Sequence, residues 1–124
     1  MGHVAHLPRA RRYDALISFA DTRAARRFAQ DKLQKVGLFE TAHMFCDVYC
    51  LEPGQAQKAH AHAGATKFYF VLEGRVRATL CAETREIGPC ELAWSAPGES
   101  HGVENASGER AVLLVVMGPN PNAK

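Results

Sequence analysis

The sequence predicts an all-β domain, a sandwich or barrel of short antiparallel strands behind an N-terminal extension. Three observations predict it. From Phe39 onward the chain is a series of short apolar or alternating runs, MFCDVYCL, KFYFVL, RVRATL, ELAWS and RAVLLVVM. Turn residues separate them: Pro53-Gly54, Glu73-Gly74, Cys81 to Thr84, Gly88-Pro89, Ala96-Pro97-Gly98 and Ala106 to Gly108. The runs recur at a spacing of about 8–12 residues, which suits an all-β fold and leaves no room for the crossover helices of a parallel sheet.

The elements follow in order. At 124 residues the chain is one domain, long enough to bury a core without disulfides. Residues 1–37 form an extension, 38–118 the barrel and 119–124 (PNPNAK) a frayed tail. Within the extension, Asp21-Thr22 precedes RAARRFAQDKLQKV and Gly37, the pattern of a capped helix with Ala25, Phe28, Ala29, Leu33 and Val36 on one face. The preceding YDALISFA suits a strand equally well. In KFYFVLE, Phe68, Phe70 and Leu72 share one wholly apolar face, and Lys67, Tyr69, Val71 and Glu73 share a mixed one. A central strand whose mixed face looks into a cavity fits this pattern; the second sheet, the N-terminal segment or a partner copy must cover the apolar face. In RVRATL, Val76, Ala78 and Leu80 point inward and Arg75, Arg77 and Thr79 outward.

Charge and cysteine usage exclude several classes. Residues 1–37 carry eight Lys/Arg and three acids, net +5, against seven and ten, net −3, in 38–124. The basic arginines are not interleaved with aromatics and no helix-turn-helix or finger pattern is visible, so a solvated face is expected and no nucleic-acid partner. No apolar run approaches the roughly 20 residues of a membrane span, and MGHVAHLPRARR lacks the apolar stretch of a signal peptide. No membrane association and a cytoplasmic location are the expectation. Cys46, Cys50, Cys81 and Cys90 form no CxxC pair and read as reduced, buried, small hydrophobes. There is no Ser-His-Asp or Cys-His arrangement, no phosphate-cradling glycine loop and no paired-carboxylate site.

The chemistry-bearing stretch is AHAHAGATKFYFVLEG, residues 59–74. On a strand, residues two apart project to one face, so His60 and His62 can offer two imidazoles to one ion. Imidazoles suit Fe, Zn, Cu, Ni or Mn. Alone the pair is a weak signal, but its setting is specific. Gly54, five residues, His60, one residue and His62 begin a block that ends at Gly74; a second block runs from Gly88 through Ala96-Pro97-Gly98-Glu99-Ser100-His101 to Asn105. Together they resemble the paired motifs of the cupin superfamily, in particular its small single-domain, conserved-barrel members.

The resemblance implies a double-sheet jelly-roll barrel, often homodimeric, with a metal in its mouth on His60, His62, His101 and a glutamate. Gly54, Gly74, Gly88, Gly98 and Asn105 are in register as structural motif residues. Two positions depart from the pattern. Ala96 stands where the family has proline, with Pro97 beside it, and Lys67 stands at the glutamate position. Three arrangements are open: Lys67 swings to solvent and three histidines plus water hold the ion; Lys67 stays inside and the histidines and lysine make a metal-free anion pocket; or another carboxylate, Glu73 or Asp47, takes over. A three-histidine site leaves the ion its full charge and favours a small anionic or chelating ligand.

Other residues carry weaker expectations. Tyr69 shares the Lys67 face and is a candidate ligand donor or cavity-wall residue. Cys46 and Cys50 share strand parity and are candidate barrel-facing thiols, as ligands or inert packing. Asn105 reads as a turn or strand-end residue bonding the backbone, and Trp94 as packing on an outer face or interface. His3, His6 and His43 have no partners in a recognisable spacing. The expected function is a small metal-binding cupin of unassigned substrate. An iron- or copper-dependent dioxygenase acting on a small anion, and a non-catalytic anion-binding or sensing module, are the alternatives.

Overall fold

The computed structural model describes residues 18–121. Nine strands alternate along them: β1 (Gln34–Glu40), β2 (Phe45–Leu51), β3 (Ala56–Ala61), β4 (Thr66–Glu73), β5 (Val76–Leu80), β6 (Glu83–Ile87), β7 (Leu92–Ser95), β8 (Ser100–Glu104) and β9 (Ala111–Gly118). They form a five-stranded sheet in the order β1-β2-β9-β4-β7 and a four-stranded sheet in the order β3-β8-β5-β6, all pairs antiparallel. The expected all-β jelly roll is therefore the fold.

Alternation within each strand builds the core. Tyr49 and Leu51 of β2, Tyr69 and Val71 of β4, Val76 and Ala78 of β5, Val103 of β8 and Leu113 and Val115 of β9 meet between the sheets. Their neighbours on β2 and β9 point the other way, where Val36, Val48, Cys50 and Val112 pack beneath Ala25, Phe28, Leu38, Leu72 and Leu114. So every residue of β2 is buried: one face lies against the second sheet and the other beneath the N-terminal segment. The apolar face of β4 is outside, as its parity requires, and the mixed face with Lys67 and Tyr69 is inside.

The helix expected over residues 22–36 is not formed; the described residues contain no helix. Asp21 closes a single turn, accepting the Arg23 N–H at 2.9 Å on its side chain and the Ala24 N–H at 3.0 Å on its carbonyl. The carbonyls of Ala29 and Gln30 accept from Gln55 Nε2 at 2.7 and 3.3 Å, so they are taken by a side chain of the β2–β3 turn instead of a helix ladder. From Gln34 the chain pairs with β2, and β1 runs across the boundary expected at 37/38. Tertiary pairing overrides a local preference worth at most about 0.7 kcal/mol per residue. YDALISFA falls largely outside the described residues, as do His3, His6 and the last three residues of the tail.

Two local devices shape the barrel. In β3, Gln57 pairs with Val103 and His60 with His101, so Lys58 and Ala59 together oppose Gly102 in a β-bulge. A Cβ on Gly102 would lie 2.7 Å from the Ala59 nitrogen and 2.9 Å from the Gln57 carbonyl oxygen; glycine is what lets the bulge approach. At the β4–β5 turn, Gly74 has φ +81°, and a Cβ there would meet the Arg110 carbonyl at 2.4 Å.

The cysteine expectation holds for half the set. Cys46 and Cys50 are buried, whereas Cys81 and Cys90 are exposed, each in a turn at positive φ (54° and 70°). No disulfide joins the four.

Candidate metal centre

The bulge decides what β3 presents to the interior. Strand alternation alone would put Gln57 and His60, three apart, on opposite faces. The extra residue restores parity, and both side chains point between the sheets. His60 then lies directly across from His101 on β8, ring centroids 4.6 Å apart. His62, just past the end of β3, is 4.8 Å from His60 and 5.5 Å from His101. The turn after β7 fixes it from behind, the Gly98 N–H donating to the His62 carbonyl at 2.9 Å. One ligand nitrogen from each of the three rings lies within 4.8 Å of the others.

The hydrogen bonds of the rings suit metal ligation. His60 Nδ1 is 2.8 Å from the Lys58 carbonyl, which can only accept; Nδ1 therefore carries a proton, and Nε2 is the nitrogen left to face an ion. His101 Nδ1 is 2.9 Å from Ser95 Oγ, and its Nε2 is buried with no hydrogen-bond partner in the protein. A buried nitrogen without a partner is unfavourable unless something binds it. Burial, then the charges of Lys67 and the other two histidines, push the His101 imidazole down to about 4, and burial, then His60, Lys67 and Lys35, lower His62. Neutral rings are the form a cation needs. The residues present therefore fit a divalent ion, which three imidazoles would leave with open positions for water or a ligand.

Lys67 does not swing to solvent. It is 3 % exposed and lies inside the barrel, across the β4–β7 register from Ser95. Its Nζ donates to Gln57 Oε1 at 3.2 Å and sits 5.5 and 5.4 Å from the ring centroids of Tyr49 and Tyr69. Tyr69 OH donates to the same Gln57 oxygen at 2.8 Å, and Gln57 Nε2 donates to Tyr49 OH at 3.2 Å. Burial, reinforced by Lys35 and opposed by Asp47, brings the lysine down to about 7. Burial also raises both phenols, which stay protonated.

Several expected contributors lie elsewhere. Cys50 packs with Val36, Val48 and Val112 on the outer face, accepting the Arg27 N–H at 3.4 Å, and Cys46 shares its parity. Neither thiol faces the histidines, because the inward positions of β2 are Asp47, Tyr49 and Leu51. Glu73 is paired with Arg26 after a register shift at the end of β4. Asp47 is fully buried and acts on Lys35 and Lys67. Neither carboxylate joins the ligand cluster among the described residues. Asn105 does what a strand-end asparagine should: Nδ2 donates to the carbonyls of Leu51 and Glu109, at 3.0 and 2.7 Å, and Oδ1 accepts from Ser107. Gly54 donates to the Asn105 carbonyl, and Gly88 packs against the Arg75 side chain. Trp94 and Leu92 stand exposed on β7, and His43 is exposed away from the cluster.

Gln57, Ser95 and Gly102 escape the sequence reading. Each is a common residue in an ordinary strand setting, and only the bulge and the cross-sheet contacts give it a role.

Comparison with known proteins agrees with this geometry. The family model described as Cupin domain matches residues 47–117. TT1209 from Thermus thermophilus is 38% identical and superimposes with a TM-score of 0.82 over 85% of this chain and 100% of its own. An uncharacterised double-stranded β-helix protein from Klebsiella pneumoniae is 20% identical, with a TM-score of 0.77 over 86% of this chain and 92% of its own. A predicted oxalate decarboxylase from Thermotoga maritima is 24% identical, with a TM-score of 0.59 over 61% and 66%. The last two likenesses establish the fold alone. No curated protein matches the chain.

Proposed function

The chain belongs to the cupin domain family, and from that premise we propose that it binds one divalent transition metal ion through His60, His62 and His101. Zinc, iron, nickel, manganese and copper all accept such a donor set. The ion would supply a Lewis-acidic centre with open positions for a small-molecule ligand. The observation that carries this reading is the buried, partnerless Nε2 of His101 within a cluster of three imidazoles whose ligand nitrogens lie within 4.8 Å of one another. Elemental analysis of protein purified without added metal tests it. About one equivalent per chain is expected in the wild type and none in the variant with all three histidines changed to alanine; a metal-free wild type, or a variant that keeps its metal, overturns it.

The interior Lys67 favours an anion as the ligand: a divalent ion and a buried amine that donates hydrogen bonds share the barrel, an anion would hold that amine in its charged form, and no carboxylate completes the cluster among the described residues. On the outside, register places Phe68, Phe70, Leu92, Trp94, Leu114 and Val116 on one face of the five-stranded sheet. Among the described residues, the N-terminal segment reaches the Leu72 and Leu114 end of it, through Ala25 and Phe28. That face supports a homodimer. A reducing compartment such as the cytoplasm suits exposed Cys81 and Cys90 with no disulfide.

A further inference from the structure

The inward face of β4 carries a donor pair that the three-histidine centre does not use. Lys67 Nζ and Tyr69 OH, two residues apart on one strand, both donate to a single oxygen, Gln57 Oε1, at 3.2 and 2.8 Å. An ammonium and a phenol converging on one sp² oxygen is the arrangement that recognises one oxygen of a carboxylate. A neutral amide oxygen is a weaker acceptor than a carboxylate oxygen for an ammonium desolvated to this degree.

Gln57 is the replaceable partner. It is only half-buried, and its position in the β3 bulge is held by the backbone, not by its amide. Lys67 by contrast is fixed on a central strand, between two tyrosine rings and directly across from Ser95, which holds His101. The Tyr69 ring lies 6.1 Å from the His101 ring, so the donor pair stands beside the histidine cluster.

We propose that Lys67 and Tyr69 form a carboxylate clamp beside the metal centre, that Gln57 Oε1 occupies the clamp when no ligand is bound, and that the ligand is a small dicarboxylate. The ligand's second anchor rests on the three-histidine reading: one carboxylate enters the clamp and the other faces the ion. Lys67, at the position where the family places a metal-binding glutamate, then selects the ligand instead of holding the ion.

Calorimetric titration of the zinc-loaded protein with malonate, and with its neutral isostere malonamide, tests the clamp. Malonate is expected to bind at least tenfold more tightly than malonamide. K67M is expected to lose at least tenfold in malonate affinity while retaining one zinc per chain. Q57A, which removes the resident acceptor, is expected to bind malonate as tightly as the wild type or several-fold more so. Failure of malonate to bind the wild type, K67M binding it within twofold of the wild type, or a Q57A variant that loses it overturns the clamp. Failure of the wild type to take up zinc overturns the metal centre alone; the clamp is then judged by the same wild-type and K67M comparison on metal-free protein. A melting curve for each variant confirms that the barrel is intact.

Discussion

Ser95 Oγ and His101 Nδ1, 2.9 Å apart, are both fully buried, and the bond sets which way the ring presents Nε2. With Nε2 as a ligand the proton sits on Nδ1 and is donated to the serine. Ser95→Ala leaves that N–H unpaired and the ring free to turn. Zinc affinity measured by competition with a chelator should fall about 10–100-fold, with the fold unchanged by circular dichroism. Lys67 makes the opposite kind of prediction. Its folded-state value, about 7, lies below its ordinary 10.5. The unfolded chain therefore binds more protons between those two values, and stability conferred at high pH is lost as pH falls from 10.5 towards 7. K67M removes the titrating group. In denaturant unfolding of metal-free protein, the variant's advantage over wild type should be largest near pH 7 and shrink as pH rises to about 10.

At the scale of the element, the bulge in β3 does most to place the site, and its partner is a glycine on another strand. Gly102→Ala would set a methyl 2.7 Å from the Ala59 nitrogen and 2.8 Å from its Cα, atoms of backbone that cannot rotate away. The strand must shift, at a cost of about 1–3 kcal/mol, and His60 and Gln57 shift with it. Zinc affinity should drop together with stability, whereas Gly108→Ala, with nothing within 4 Å, should leave zinc affinity unchanged. The same scale explains the missing helix. Leu33 packs in the inter-sheet core and Val36 on the outer face, a use of apolar positions three apart that an edge strand and its approach satisfy as well as a helix does. Cross-strand pairing with β2 settled the choice.

For the whole molecule, the outer face of the larger sheet makes the prediction. Trp94 is 61% exposed and Leu92 45%, beside the half-buried Phe68 and Phe70. Exposed aromatic and aliphatic side chains clustered on one face mark interaction sites. Sedimentation equilibrium at micromolar concentration should report a dimer. Trp94→Lys, which places a charge in the middle of that face, should shift it to monomer without lowering the zinc content. Independence of the two readouts follows from the strand geometry: Trp94 points outward, and its neighbour Ser95 points in towards His101.

Much of this could be read from residue order alone. The period-two alternation in β4 and β5 and the turn residues between the runs pointed to an all-β sandwich or barrel, and the resemblance of the two motifs implied the double-sheet form. The spacing of Gly54, His60, His62, Gly98 and His101 carried the family resemblance that implied the three imidazoles, and the structure brings their ligand nitrogens within 4.8 Å of one another. β6 was faint because four of its five residues are polar and exposed, and β8 because His101 and Val103 alternate with Ser100, Gly102 and Glu104, which leaves little apolar pattern over five residues. The tertiary structure alone decided that residues 34–36 pair as a strand, that Cys46 and Cys50 face away from the site and that Lys67 stays inside. The reason is common to all three. Each depends on which neighbour lies across the sheet or the barrel, and local sequence constrains a strand's alternation but not the identity of its partner, nor the single inserted residue that reverses its face.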